Sequence, residues 1–306
     1  MTFVRSLLAA VLFAACCSPP RVADRADDPT LLADVQALVA ELGPNARAAV
    51  WFGRAGEVPS LAWNVETPMP TASAIKAAYL VELFDARDGA LDAPLPGADA
   101  VLADAAHPAV AHFSAAQRTA AQTDLGGAST RRIGEAMIRG NGVSNATYNI
   151  AANLVTAFAG GPPGLDAALR DRGGSWCDLR VRRYMIADRT VNGDNEATAH
   201  AMAAVFGDLA RRTVPGLSAN AHDACRAILA RSPDAAGRQR FRKDGALDSL
   251  PITRVEAGWL EGPAGAFVHV VMLAQDGVAA ADRTAAGGRL QTAAAAIEQR
   301  LIASLP

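Results

Sequence analysis

Apolar positions recur at helical spacing from Pro29 to Leu42: Leu31, Leu32, Val35, Leu38, Val39 and Leu42 share one side, and Gly43-Pro44 ends the run. Ala48 to Phe52 and Ser60 to Val65 then read as two strands, joined by a Gly-containing turn at Arg54 to Pro59. After the break at Thr67 to Pro70, Ala72 to about Asp88 holds no Gly or Pro and predicts a helix. From Gly89 to about Pro215 the chain reads as helices between Gly/Pro breaks: Ser114 to Thr123, Ser129 to Arg139, Asn149 to Ala159, Gly164 to Arg170 and Ala197 to Arg211. Val181 to Asn195 has no clean period and reads as a long loop. Ser218 to Ala230 is one more helix, and there the pattern switches. Arg238 to Ala246, Thr253 to Leu260 and Ala266 to Ala274 predict three strands, the last two joined by Gly262-Pro263-Ala264-Gly265. Thr284 to Ala303 closes the chain as a helix with Leu290, Ala294, Ile297 and Leu301 on one face.

This order predicts an α/β fold: a five-stranded antiparallel sheet with flanking terminal helices and an inserted all-helical lobe. The sheet lobe takes residues 29–72 and 215–306, and the helical lobe 73–214. The chain crosses between lobes twice, and a cleft is expected there. Internal repeats and low-complexity tracts are absent.

The first residues read differently. A basic start at Met1 to Arg5 and a short apolar run from Ser6 to Ala15 form an export signal, 1–15. Ala14 and Ala15 precede Cys16 as in a bacterial lipoprotein signal, which makes Cys16 a candidate lipidation site; Phe13 departs from the usual aliphatic position. Ordinary cleavage nearby, or an uncleaved anchor, is the alternative. Residues 16–28 read as a polar linker, and 29–306 as the catalytic domain. The expected location is the periplasm, free or membrane-tethered through a lipid anchor. Net charge is −2, and no basic cluster is interleaved with aromatics, which argues against a nucleic-acid partner. The five histidines are scattered, and no Cys/His spacing suggests a metal; no cofactor is expected. In an oxidising compartment Cys177 and Cys225 either pair or remain buried thiols. A monomer is expected.

Chemistry concentrates at Ser73-Ala74-Ile75-Lys76. At a helix start, Lys76 lies on the same face as Ser73, and the serine sits at the positive end of the dipole. That is a nucleophile and base pair, though Ser-x-x-Lys alone is a weak signal. Composition sharpens it. Of 29 Lys and Arg residues only Lys76 and Lys243 are lysine. A chain this biased toward Arg has kept lysine where a removable proton is useful, because Arg does not deprotonate. The second lysine lies on a strand in Lys243-Asp244-Gly245-Ala246, where the glycine lets another backbone or a ligand approach closely. Between the two lies Asn145-Ala146-Thr147-Tyr148-Asn149-Ile150-Ala151-Ala152-Asn153-Leu154, followed by Gly160-Gly161-Pro162.

In this ordered set the chain resembles the serine β-lactamase and penicillin-binding-protein superfamily, most nearly class A β-lactamases, whose signature is S-x-x-K, S-D-N and K-T-G. Ser73 to Lys76 matches the first motif fully, Thr147-Tyr148-Asn149 falls in the second slot and Lys243-Asp244-Gly245 in the third. The resemblance runs from about Asp28 to Pro306. It implies that Ser73 is acylated, that Lys76 takes or relays its proton, and that Thr147 shuttles a proton to the leaving nitrogen. It further implies that Asn149 binds Lys76 and the substrate amide, and that Lys243 holds a substrate carboxylate beside Asp244 and Gly245. Backbone N–H groups of Ser73 and Ala246 would form the oxyanion hole. Ser144, in Val143-Ser144-Asn145, is an alternative hydroxyl to Thr147. Tyr148 replaces an aspartate of mainly structural role, and Asp244 puts a carboxylate where an anionic group normally binds.

The loop departs furthest. Class A enzymes carry there a glutamate that activates water, and Arg180 to Asn195 contains none. Matching Arg182 to the family's loop arginine puts Tyr184 in the glutamate slot. Asp188 is then either a substitute base or a cap on the next helix. Three functions follow: an exported serine hydrolase of β-lactams or related small-molecule amides, a D,D-peptidase or penicillin-binding protein that deacylates slowly, or a non-catalytic sensor on the same fold.

Overall fold

The computed structural model describes residues 21–305. The export signal and Cys16 lie outside the described residues. Ten strands form: β1 Arg25–Ala26, β2 Ala46–Arg54, β3 Leu61–Trp63, β4 Met69–Pro70, β5 Glu196–Ala197, β6 Ala230–Arg231, β7 Gln239–Arg242, β8 Gly245–Leu247, β9 Ile252–Gly262 and β10 Gly265–Gln275. The main sheet runs β1-β3-β2-β10-β9-β7-β6, with β8 also on β9, and every pair is antiparallel. The strand count is therefore eight rather than five. Two-residue edge strands β1 and β6 were missed because they are too short to show a period. The third extra strand arises because Arg238 to Ala246 is split at Lys243-Asp244. Pairing with β9 keeps its register across that split, and Lys243 N–H donates to the Ala257 carbonyl at 3.0 Å. The end of the expected linker is thus built into the sheet: Arg25 pairs with Ala62, and Ala26 with Leu61.

Period-two patterning places the sheet between two layers. Val50, Phe52, Val271 and Leu273 face the terminal helices Pro29–Ala40 and Arg283–Ala303, packing on Val35, Leu290 and Ile297. Their neighbours Ala49, Trp51, Val270 and Met272 point the other way, into the large core shared with the helical lobe. The first helix starts where expected because Asp28 accepts from Thr30 N–H at 2.8 Å with Pro29 in the first turn.

The helix Lys76–Ala86 is buried along nearly its whole circumference and forms the axis of the helical lobe. It begins four residues later than the expected Ala72, because Ala72 is left-handed (φ 49°) and cannot continue a right-handed turn. By contrast, the helix Asn145–Phe158 begins four residues before the expected Asn149, since the Ser144 side chain caps it by accepting from Thr147 N–H. Helix Ala98–Ala103, the 3₁₀ turn Gly174–Asp178 and the single turn Arg189–Asn192 were not foreseen; all are too short to carry a hydrophobic period.

Candidate active site

Ser73 lies in the tight turn ahead of the Lys76–Ala86 helix, with Ala74 N–H bonded to the Thr71 carbonyl and Lys76 N–H to the Ser73 carbonyl. Two bonds from Thr71, through its N–H and its hydroxyl, fix the turn to the Asn195 carbonyl, each at 3.0 Å. On its other side β8 presses directly on it. A Cβ at Gly245 would stand 2.6 Å from Thr71 O, 2.8 Å from Ala74 N and 2.9 Å from Ser73 N. The close approach expected of this glycine is therefore made to the turn that carries Ser73. Ser73 and Ala246, the two expected oxyanion donors, line one cleft of about 580 Å³ with Asn149, Asp188 and Ser249. Ser73 is partly exposed there, and its hydroxyl has no hydrogen-bond partner among the described residues.

Lys76 is fully buried. Its Nζ donates to Asn149 Oδ1 at 3.0 Å and to the Tyr148 carbonyl at 3.4 Å. It also stands 3.2 Å from the centre of the Tyr148 ring, whose other neighbour is Lys243 Nζ at 5.4 Å. Burial first, and the charge of Lys243 second, hold the Lys76 amine well below the ordinary lysine range. Ring and amide contacts favour the ammonium, but removing a full charge from water costs several kcal/mol, and that cost dominates. Burial beside the serine turn thus biases the Lys76 amine toward giving up its proton.

Of the middle motif, Tyr148 and Asn149 meet this cluster with their side chains, and Asn149 alone hydrogen-bonds Lys76 through its side chain. Its amide is oriented by donating to the Asn145 carbonyl at 2.9 Å, which turns Oδ1 toward Lys76. Thr147 goes elsewhere. It is fully buried, and its hydroxyl contacts Ser144 Oγ and Asp124 Oδ2, each at 3.0 Å. Early capping at Ser144 rotates Thr147 onto the far side of the helix. Ser144 itself borders a different depression, next to Arg139, Arg231, Lys243 and Asp244. Tyr148, expected in a supporting position only, thus brings its ring against both lysines.

Lys243 is buried and donates to the Asp244 carbonyl at 2.6 Å. The Asp244 carboxylate turns outward, 4.0 Å from Lys243 Nζ and 59% exposed. Burial opposes its ionisation, but Lys243 and Arg242 outweigh that and hold the carboxyl below the usual range.

The loop corrects the expected register by one residue. Arg183, not Arg182, closes it, through an ion pair with Asp194 at 2.8 Å between two nearly buried side chains. Arg182 instead pairs with Glu196. Asn153 grips Met185 from both sides, accepting from its N–H at 2.6 Å and donating to its carbonyl at 3.1 Å. Met185, rather than Tyr184, therefore faces the cleft. Neighbouring Arg182 and Arg183 cannot be told apart by composition; the partners decide. Asp188 lines the cleft but caps the Arg189–Asn192 turn, accepting from Thr190 N–H and hydroxyl at 2.8 Å each, and those bonds lower its pKa. Asp194 is held by Arg183 and Arg189, and Asp248 by Arg254. Cys177 and Cys225 are both buried, and no disulfide joins the two.

Fold and site together define a class: a two-lobed scaffold with the Ser73 turn between a buried lysine and a strand of the sheet. The chain has the fold of the serine β-lactamase and penicillin-binding-protein superfamily. A variant of PBP-A solved as an acyl-enzyme complex with penicillin G is 20% identical, with 88% of this chain and 97% of that one aligned at a TM-score of 0.62. A β-lactamase from Sphaerobacter thermophilus is 19% identical over 88% and 97% at 0.59. A β-lactamase from Chitinophaga pinensis is 14% identical over 86% and 97% at 0.63. No protein-family model and no curated protein matches the sequence.

Proposed function

We propose that this protein is an exported serine hydrolase acting on β-lactams or related amides through an acyl-enzyme on Ser73. The observation that carries the reading is Lys76: fully buried, depressed in pKa, and hydrogen-bonded to Asn149 three residues along from the serine. Ser73 Oγ attacks the carbonyl as its proton passes to Lys76; the C–N bond then breaks and the nitrogen takes that proton. Ser73 and Ala246 N–H groups stabilise the oxyanion. The PBP-A neighbour, described as an acyl-enzyme with penicillin G, supports the same substrate class.

One set of contacts favours a slow second step. Each carboxylate lining the cleft already has a partner: Asp188 caps a turn through one oxygen, Asp194 holds two arginines through both, and Asp248 pairs with Arg254 through one. Water activation is the step that lacks a free base, so the acyl-enzyme accumulates, as in a penicillin-binding protein or D,D-peptidase. Intact-mass spectrometry after mixing with penicillin G, and separately with a cephalosporin, tests both parts. A persistent adduct on Ser73 supports acylation with slow release. A transient adduct with product accumulating keeps the hydrolase and removes the slow step. No adduct and no product rejects the reading.

A further inference from the structure

Away from the Ser73 cleft, and sharing no lining residue with it, is a cavity of about 860 Å³. Ser175 and His200 both line it. Ser175 Oγ lies 3.0 Å from His200 Nε2, and His200 Nδ1 lies 3.0 Å from Glu66 Oε1. Glu66 is largely buried behind the histidine, and the same oxygen accepts from Val22 N–H at 2.7 Å. A carboxylate at Nδ1 fixes the proton on that nitrogen, leaving Nε2 to accept from the serine hydroxyl. We propose that Ser175, His200 and Glu66 form a second nucleophilic site, with esterase activity independent of Ser73.

Three elements distant in sequence converge to make it. Ser175 follows two glycines of positive φ, Gly173 (φ 75°) and Gly174 (φ 53°), which turn the chain sharply at the start of the 3₁₀ turn. His200 sits in the first turn of the helix Ala199–Arg211, and Glu66 precedes β4 on the crossing between lobes. The geometry is that of a hydroxyl, a general base and an orienting acid in series. Trp51, Val58, Trp176 and Ala203 give the cavity an apolar wall suited to an acyl chain.

The wall also limits the chemistry. Arg172 lines the cavity, but each of its three nitrogens already donates, to Glu82, the Pro215 carbonyl and Asp85, so the group is held by those partners rather than aimed as a dedicated oxyanion donor. A missing oxyanion donor costs about 10²–10³ in rate. Esters of short apolar acids with good leaving groups are therefore the substrate class, and amides are not. Ser175 Oγ bonds to the carbonyl carbon as its proton moves to His200 Nε2. The ester C–O bond breaks, and the alcohol departs with that proton. Water then adds to the acyl carbon, giving a proton to Nε2. The Ser175 oxygen–acyl bond breaks, the serine regains its proton, and the carboxylic acid leaves. Glu66 is a positioning residue.

The test uses the full chain carrying Ser73→Ala, so that the cleft nucleophile is silent. The probe is an alkyl fluorophosphonate, with the adduct mapped by peptide mass spectrometry, and p-nitrophenyl butyrate hydrolysis is followed alongside. The expected result is an adduct on Ser175 that is lost on adding Ser175→Ala and slowed about 10²-fold by His200→Gln. Glu66→Gln should lower kcat for the ester and leave KM unchanged. If His200→Gln does not fold, Ser175→Cys replaces it, and iodoacetamide should alkylate that thiol faster than free cysteine. An unlabelled Ser175, labelling indifferent to His200→Gln, or an unaccelerated thiol would overturn the proposal. Neither result bears on Ser73.

Discussion

Gly245→Ala perturbs the contact on which the Ser73 turn depends. The added carbon would meet Thr71 O at 2.6 Å, Ala74 N at 2.8 Å and Ser73 N at 2.9 Å. All three are backbone atoms, so no side chain can swing aside. Reaching an ordinary separation of about 3.5 Å requires β8 and the turn to part by roughly half an ångström or more. Overpacking of this kind costs about 1–3 kcal/mol. For a chain of this size each kcal/mol lowers Tm by about 2–4 °C. Function should suffer more, because misplacing a reacting group by about 1 Å costs about 10²-fold. The assay pairs differential scanning fluorimetry with stopped-flow acylation by a chromogenic cephalosporin. Gly288→Ala is the control: nothing lies within 4 Å of a Cβ there, and in a helix the change should be neutral or mildly stabilising. A Gly245→Ala protein with unchanged Tm and unchanged acylation would refute the argument that β8 sets the position of the nucleophile.

Lys76→Arg is expected to abolish the Ser73 adduct, because arginine cannot accept the proton; normal acylation in this variant would sink the argument from lysine scarcity. Lys76→Met tests the buried amine through stability. Folded Lys76 has a pKa below the 10.5 of the unfolded chain, so the folding penalty is complete below the folded value and fades as pH rises toward 10.5. Urea melts should therefore show Lys76→Met gaining most at low pH and least in alkali, and a gain independent of pH would contradict the burial effect. Asp194→Ala leaves Arg183 and Arg189 without their shared partner and should cost about 3 kcal/mol, since one half of a buried pair is stranded. Limited proteolysis between residues 183 and 194 should quicken with it; an unchanged Tm and cleavage pattern would contradict the loop's closure by that pair. Cys16→Ser should release the protein from a membrane fraction if the leader ends in a lipid anchor, and retention on the membrane would exclude that anchor.

Much of the site was legible because its signals are local. Scarcity of lysine marked Lys76 and Lys243, and the resemblance to a known motif order marked Asn149. Gly245 on a strand announced a close neighbour. Alternation in β2, β9 and β10, and the periods of the two terminal helices, carried the fold class, since each depends on side chains a few residues apart. What sequence left open depended on rotation and partners. A serine cap three residues upstream left Thr147 bonded to Asp124 rather than facing the cleft, and left the Tyr148 ring beside both lysines. Whether Arg182 or Arg183 closes the loop rests on which one reaches Asp194. Edge strands of two residues exist only because a neighbour supplies the hydrogen bonds. Ser175, His200 and Glu66 carry no motif at all. Periodicity and propensity act over a turn or a strand, and so the chain alone determined most of its elements and singled out Ser73 with Lys76. Closing long loops brings together groups that no local preference relates, and for that reason tertiary structure alone decided which hydroxyls, carboxylates and rings face one another.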